Sequence, residues 1–209
     1  MIDLFRTRRS IRKYSKTPIN PKQIELLKET LLRSPSSRGI NPWEFIFVND
    51  PALLEKLSCA KQLGSEFLKD AKLGIVVCAD ELKSDVWVED CGIASILVQM
   101  TAHSLGLGSC WIQIRLRNHD GTTTGESYIQ KLLGIPEEMK VASIISIGCP
   151  DEVKRPKAEK ELDYGKIREN AWIVSVKKNK RVSKVSKHPI IKGDPENLVH
   201  VDWSHLWRP

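Results

Sequence analysis

Val88-Glu89-Asp90-Cys91-Gly92-Ile93-Ala94-Ser95-Ile96-Leu97-Val98-Gln99-Met100-Thr101-Ala102-His103-Ser104-Leu105 is the stretch on which the fold turns, because it is apolar on nearly every side. A helix without a wet face is buried, either in a core or in a subunit interface. Gly106-Leu107-Gly108 ends it, and Ser109-Cys110-Trp111-Ile112-Gln113-Ile114 then has the β-branched and aromatic content of a strand.

Working outward, Leu73 to Ala79 and Val141 to Gly148 are apolar runs of strand length, and Trp43-Glu44-Phe45-Ile46-Phe47-Val48 is a fourth strand closed by the turn Asn49-Asp50-Pro51. Helices are predicted over roughly Ile2 to Thr7, from Pro21 with Ile24, Leu27, Leu31 and Leu32 at helical spacing, from about Ala52 to Ala60, and over Glu126 to Leu133 before Gly134. Pro35 stops the second of these, since it lacks an amide donor and disfavours helical torsions at Ser34. Four strands alternating irregularly with helices favour an α+β sandwich over a doubly wound sheet.

The 209 residues suffice for one substantial core. We expect a domain over 1–171 and a basic C-terminal tail or arm over 172–209, where eight Lys and Arg face three acids. The net charge of +7 therefore belongs largely to the tail, and nucleic-acid binding by the domain is not expected. No apolar run approaches the roughly 20 residues of a membrane span, and the first residues do not have the pattern of a signal peptide, so a soluble, cytoplasmic protein is expected. The five cysteines form no CxxC pair and read as buried free thiols, and the histidines have no metal spacing, His103 reading as structural. Gly106-Leu107-Gly108 lacks the third glycine of a dinucleotide fingerprint, and Gly121 to Ser127 lacks the lysine of a P-loop.

Arg8, Arg9, Ser10 and Arg12 put three guanidinium groups and a hydroxyl within five residues. Such forks match phosphate oxygens bidentately, which points to a phosphate-bearing ligand against the alternative of a solvated basic patch.

Further motifs stand around this cluster in order. Arg8-Arg9-Ser10-Ile11-Arg12-Lys13-Tyr14, Ser34-Pro35-Ser36-Ser37 running to Pro42-Trp43-Glu44-Phe45-Ile46, Asp90-Cys91-Gly92-Ile93-Ala94 through Trp111, and Ile144-Ile145-Ser146-Ile147-Gly148-Cys149-Pro150 together resemble the nitroreductases, the FMN-containing NAD(P)H oxidoreductases, over roughly residues 1 to 172. The resemblance implies a nitroreductase-like sandwich, a central mostly antiparallel sheet flanked by helices, dimeric. It implies that Arg8 and Ser10, with Arg9 beside them, hold the FMN phosphate and ribityl chain, and that Arg12 reaches the pyrimidine edge, where a fixed cation stabilises reduced flavin. Pro35, Ser36 and Ser37 would touch FMN bound mainly by the other chain of an obligate homodimer, and Gln113 and the Ile114 amide would lie beside flavin N5. No side chain is implied as a catalytic acid or base, because the flavin carries the chemistry.

The implied reaction passes hydride from NADH or NADPH through flavin N5 to a small-molecule electron acceptor, such as a nitroaromatic, quinone or enone, in a ping-pong cycle. Dehalogenation, ring oxidation or flavin consumption on the same fold stay open. So does an anionic-partner binding module acting through the Lys-rich tail, whose bland counterpart is an arm anchored by Trp203 and Trp207. Two departures stand out. Gly39 replaces an Asn of many relatives, whose contact is lost or falls to Arg38 or Asn41, and Lys154 and Arg155 match the late basic contacts only loosely, so they stay outside the expected site.

Overall fold

The computed structural model describes residues 1–172, so the expected tail lies, apart from Trp172, outside the described residues. The chain divides into a compact unit, Met1–Asp163, and a second unit beginning at Tyr164. In the second, the described part holds a single short 3-10 turn, Tyr164–Lys166, and a stacking of the Arg168 guanidinium over Trp172.

In the first unit the elements run α1 (Ile2–Thr7), α2 (Pro21–Leu32), β1 (Trp43–Val48), α3 (Pro51–Ser58), β2 (Leu73–Asp80), α4 (Trp87–Ser104), β3 (Gly108–Gln113), α5 (Gly125–Leu133) and β4 (Met139–Gly148). The strands form one antiparallel sheet in the order β1-β2-β4-β3. This is the expected α+β sandwich with its antiparallel sheet.

Local chemistry sets the boundaries. Asn20 accepts from the Lys22 amide (2.9 Å) ahead of Pro21, Asp50 accepts from Leu53 N (2.9 Å) ahead of Pro51, and Thr124 accepts from Ser127 N (3.0 Å). Each cap supplies an acceptor to an orphan amide of a first turn. At the other end of α5, Gly134 takes φ 67°, a left-handed torsion that an L side chain resists.

The period-2 alternation of β2 feeds two cores. Leu73, Ile75, Val77 and Ala79 pack on one face with α2 and α4, while Val76 and Cys78 pack on the other with Leu54 and Leu57 of α3 and Ile129 of α5. A strand buried on both faces has no polar positions, which is why Leu73 to Ala79 is continuously apolar.

α4 presents Cys91, Ala94, Ser95, Val98 and Ala102 to the sheet, small residues that let the helix lie close. Its large aliphatics point the other way: Ile93, Ile96 and Leu97 are 40, 40 and 36% exposed. The helix therefore has a core face and, within the single chain, an outward apolar stripe. The cysteines need a correction. Cys78, Cys91 and Cys110 are buried free thiols, but Cys149 is half-buried and Cys59, which caps the C-terminus of α3, is exposed.

Candidate active site

The arginine segment is laid onto the end of the sheet. Ser10 bridges Ser109 in parallel, Ile11 N donates to the Ser109 carbonyl (2.9 Å), Ser15 N donates to the Cys149 carbonyl (2.9 Å), and Asp151 N donates to the Lys13 carbonyl (2.9 Å). Two glycines permit this approach. Gly108 of β3 stands opposite Gly148 of β4, and a Cβ at either would lie 2.8 Å from Ile11 or Tyr14 respectively. The two side chains thus cover a bare patch of sheet. The buried Tyr14 hydroxyl donates to the Ile11 carbonyl and lies 2.7 Å from Ser146 Oγ, and burial drives its pKa well above the usual phenol value.

This docking collects cations around a cavity of about 240 Å³ lined by Arg8, Arg9, His103, Ser109, Glu152 and Lys154, among others. Lys154 Nζ donates to the Ser10 carbonyl (2.9 Å), and an Arg9 guanidinium nitrogen donates to the Arg155 carbonyl. The Arg12 guanidinium stacks over the Phe67 ring, 5.6 Å from its centroid. Glu152 anchors the turn: its carboxylate accepts from the Arg12 amide (2.6 Å) and the Lys13 amide (3.2 Å) and pairs with Lys154 (3.2 Å). The Arg12 amide, more than any other partner, holds its pKa below the usual carboxylate value. Burial raises the Cys110 thiol, against the pull of Arg12 and a Ser10 hydrogen bond.

The other expected site residues lie elsewhere in the chain. Ser37 N donates to the buried Asp90 carboxylate (2.9 Å) in the first turn of α4, whereas Thr7 reaches His103 Nε2 (2.8 Å) in its last turn. Thirteen residues of helix separate the two, about 20 Å at 1.5 Å per residue. The loop is also on the β1 side of the sheet, Asp80 N donating to the Pro42 carbonyl, while the arginines are on the β3 side. The single chain therefore keeps Pro35, Ser36 and Ser37 apart from Arg8, Arg9, Ser10 and Arg12. Within the loop, Ser36 Oγ is 2.8 Å from both the amide and the side-chain oxygen of Asn41, and Arg38 pairs with Asp85 (2.5 Å), so both residues considered as substitutes for the missing Asn are engaged. Gly39 has φ +67° with no atom within 4 Å of an added Cβ, so torsion rather than space favours glycine there.

Gln113 ends β3, about four strand rises, on the order of 13 Å, from Ser109. Its side chain is held at both ends, accepting from Trp111 Nε1 (3.0 Å) and donating to the Arg115 carbonyl (2.9 Å). Ile114 is fully buried and its amide donates to the Ala142 carbonyl (3.2 Å), which the Arg115 amide shares (3.1 Å). Five residues around the arginine segment were not expected there from the sequence: Thr7, Phe67, His103, Glu152 and Lys154, the last set aside as only a loose match. A lone glutamate after a Cys-Pro turn carries no local signal, and Lys154 is brought to the Ser10 carbonyl only by the docking of the first segment.

The α+β unit thus sets a cationic, hydroxyl-bearing segment against one end of an antiparallel sheet. The family profile described as the Nitroreductase family matches residues 5–62 and 58–149, and the chain belongs to that family. A protein of Archaeoglobus fulgidus, described as a candidate NADH dehydrogenase/NAD(P)H nitroreductase, is 35% identical over 176 residues, which are 82% of this chain and 98% of that one. The solved structure of an FMN-dependent nitroreductase from Clostridium difficile R20291 is 43% identical and superposes with a TM-score of 0.81 over 82% of this chain and 100% of its own. The NADPH:FMN oxidoreductase of Vibrio harveyi, solved with NAD+, shares the fold at 22% identity, with a TM-score of 0.68 over 82% of this chain and 77% of that one.

Proposed function

We propose that the chain is an FMN-dependent oxidoreductase that draws on NADH or NADPH and passes electrons to a small organic acceptor, a nitroaromatic, quinone or enone, in a ping-pong cycle. The observation that carries this is the docking of Arg8 to Arg12 on the Gly108–Gly148 patch, with Lys154 closing the same cavity. The residues fit FMN by their chemistry: guanidinium and ammonium groups for a phosphate, a hydroxyl for the ribityl chain, and a cation backed by an aromatic ring for an electron-rich ring edge. When bound, FMN supplies two-electron redox chemistry between a reduced nicotinamide and the acceptor.

The protein supplies orientation and charge. Arg8, Arg9 and Ser10 hold the phosphate and ribityl chain, and Arg12, fixed at its amide by Glu152 and at its guanidinium by Phe67, is the permanent cation that favours the reduced, negatively charged ring. Gln113 walls the reacting edge, and Ile114, buried with its amide given to the Ala142 carbonyl, backs it rather than donating to the cofactor. Pro35, Ser36 and Ser37 complete the site from a second copy of the chain, a reading supported by their separation from the arginines along α4, and the Ile93, Ile96 and Leu97 stripe is the apolar surface such a homodimer buries. The protein acts in the cytoplasm in this reading.

The test is the visible spectrum of the purified protein followed by anaerobic addition of each nicotinamide. We expect a flavin spectrum, bleached by NADH or NADPH and restored by a nitroaromatic or a quinone. Colourless protein that takes up no FMN and oxidises neither nicotinamide would overturn the reading.

A further inference from the structure

Past the end of β3 the chain opens a second cavity, about 530 Å³, lined by Trp87, Arg115, Leu116, Arg117, Thr124 and Lys140 together with Glu81, Asn118 and Glu126. Arg115, two residues beyond Gln113, stacks its guanidinium over the indole of Trp87, 5.7 Å from the ring centroid. The charges of this cavity do not cancel. Lys140 is paired with Glu81 (3.3 Å), and Glu126 accepts from the Val141 amide (2.9 Å). Among the described residues no carboxylate lies within ion-pair distance of Arg115 or Arg117. Between the two arginines Leu116 has φ 58°, a left-handed torsion rare for a non-glycine residue, and its side chain is 78% exposed, so packing of Leu116 does not compensate that strain.

The cavity lining thus carries three cations against the two carboxylates Glu81 and Glu126, with Arg115 flattened on an aromatic wall and Arg117 donating to the Leu116 carbonyl (3.0 Å), and guanidinium groups outside any ion pair suit an anionic group. We propose that this cavity takes an anionic group of a substrate, a carboxylate or a phosphate, and that Arg115 and Arg117 set the preference for charged over neutral substrates. The proposal rests on the oxidoreductase reading for the word substrate. Its binding test is independent of turnover, so loss of that reading and loss of this site are told apart.

The experiment is calorimetric titration of the full-length, FMN-loaded protein with two matched pairs of probes: 4-nitrobenzoate against its methyl ester, and adenosine 2′,5′-bisphosphate against adenosine. At least one anion binds more tightly than its neutral counterpart by roughly 10-fold, the scale of one charge-assisted hydrogen bond, and added salt weakens it. Arg115→Ala with Arg117→Ala abolishes the preference, and Arg115→Lys with Arg117→Lys retains part of it. Arg33→Ala, at the end of α2, leaves it intact. Loss in the nitrobenzoate pair assigns the anion to the acceptor, and loss in the bisphosphate pair assigns it to the nicotinamide donor. The proposal falls if the wild type discriminates in neither pair, or if the preference survives the double alanine change. Should the alanine variant fail to fold, a wild-type preference insensitive to 0.5 M salt, on the order of a 4 Å screening length, overturns it equally.

Discussion

Gly108→Ala is the sharpest single perturbation of the proposed cofactor site. The new methyl would meet Ile11 Cβ and Cγ2 at 2.8 Å and Cγ1 at 3.1 Å. Carbon atoms rest at about 3.5–4.0 Å, so Ile11 must retreat by roughly 1 Å, and because one clashing atom is its Cβ a rotamer change gives no full relief. The backbone between Ser10 and Arg12 moves with it. Overpacking of this kind costs about 1–3 kcal/mol. The cost falls on the segment proposed to hold FMN, so FMN affinity is expected to drop by roughly 5- to 150-fold. Quenching of FMN fluorescence on titration reads the affinity, and a thermal melt reads the fold. Gly121→Ala, where a Cβ has no neighbour within 4 Å, is the control and leaves both unchanged. A Gly108→Ala protein with wild-type FMN affinity and wild-type melting would refute the idea that the glycine patch seats the arginine segment.

Other outcomes follow from the same geometry. Glu152→Gln removes the carboxylate that accepts from the Arg12 and Lys13 amides, and should weaken FMN binding and lower the melting temperature. Because the folded-state pKa of Glu152 is depressed, its contribution is present above the unfolded value of about 4.3 and is lost as pH falls through the lower folded value. Melting temperatures of the two proteins should therefore differ at pH 6 and converge in strong acid; a gap independent of pH would contradict this. Arg12→Ala should lower the reduction potential of bound FMN by about 30 mV or more, roughly 1.4 kcal/mol for two electrons, read by spectroelectrochemical titration; an unchanged potential would remove Arg12 as the tuning cation. Leu97→Asp puts a charge into the outward apolar stripe of α4 and should yield a monomer without FMN in analytical ultracentrifugation, whereas a flavin-loaded dimer would show that another surface joins the chains.

What could be read before any coordinates depended on how local the signal is. The all-apolar stretch from Val88 to Leu105, the stop at Pro35 and the continuous apolar run from Leu73 to Ala79 are each local signals, and helix α4, the end of α2 and strand β2 lie where they were expected. The arginine cluster was legible as chemistry for the same reason. Glu152 and Phe67 were not, because their roles exist only once β4 returns beside β3 and the first segment is laid on both. The pairing of Gly108 with Gly148 joins positions 40 residues apart and depends on strand register, which a glycine in sequence does not announce. The exposure of Cys59 was missed on similar grounds, since a thiol in an apolar run turned outward at a helix end.

The most direct test of the central claim is FMN binding by equilibrium dialysis to the wild type and to Arg8→Ala with Ser10→Ala. One FMN per chain and an affinity reduced roughly 10- to 100-fold in the variant, the loss of one or two charge-assisted hydrogen bonds, is the predicted result. Equal affinity in the two proteins, both still folded, would place the cofactor somewhere other than the arginine segment.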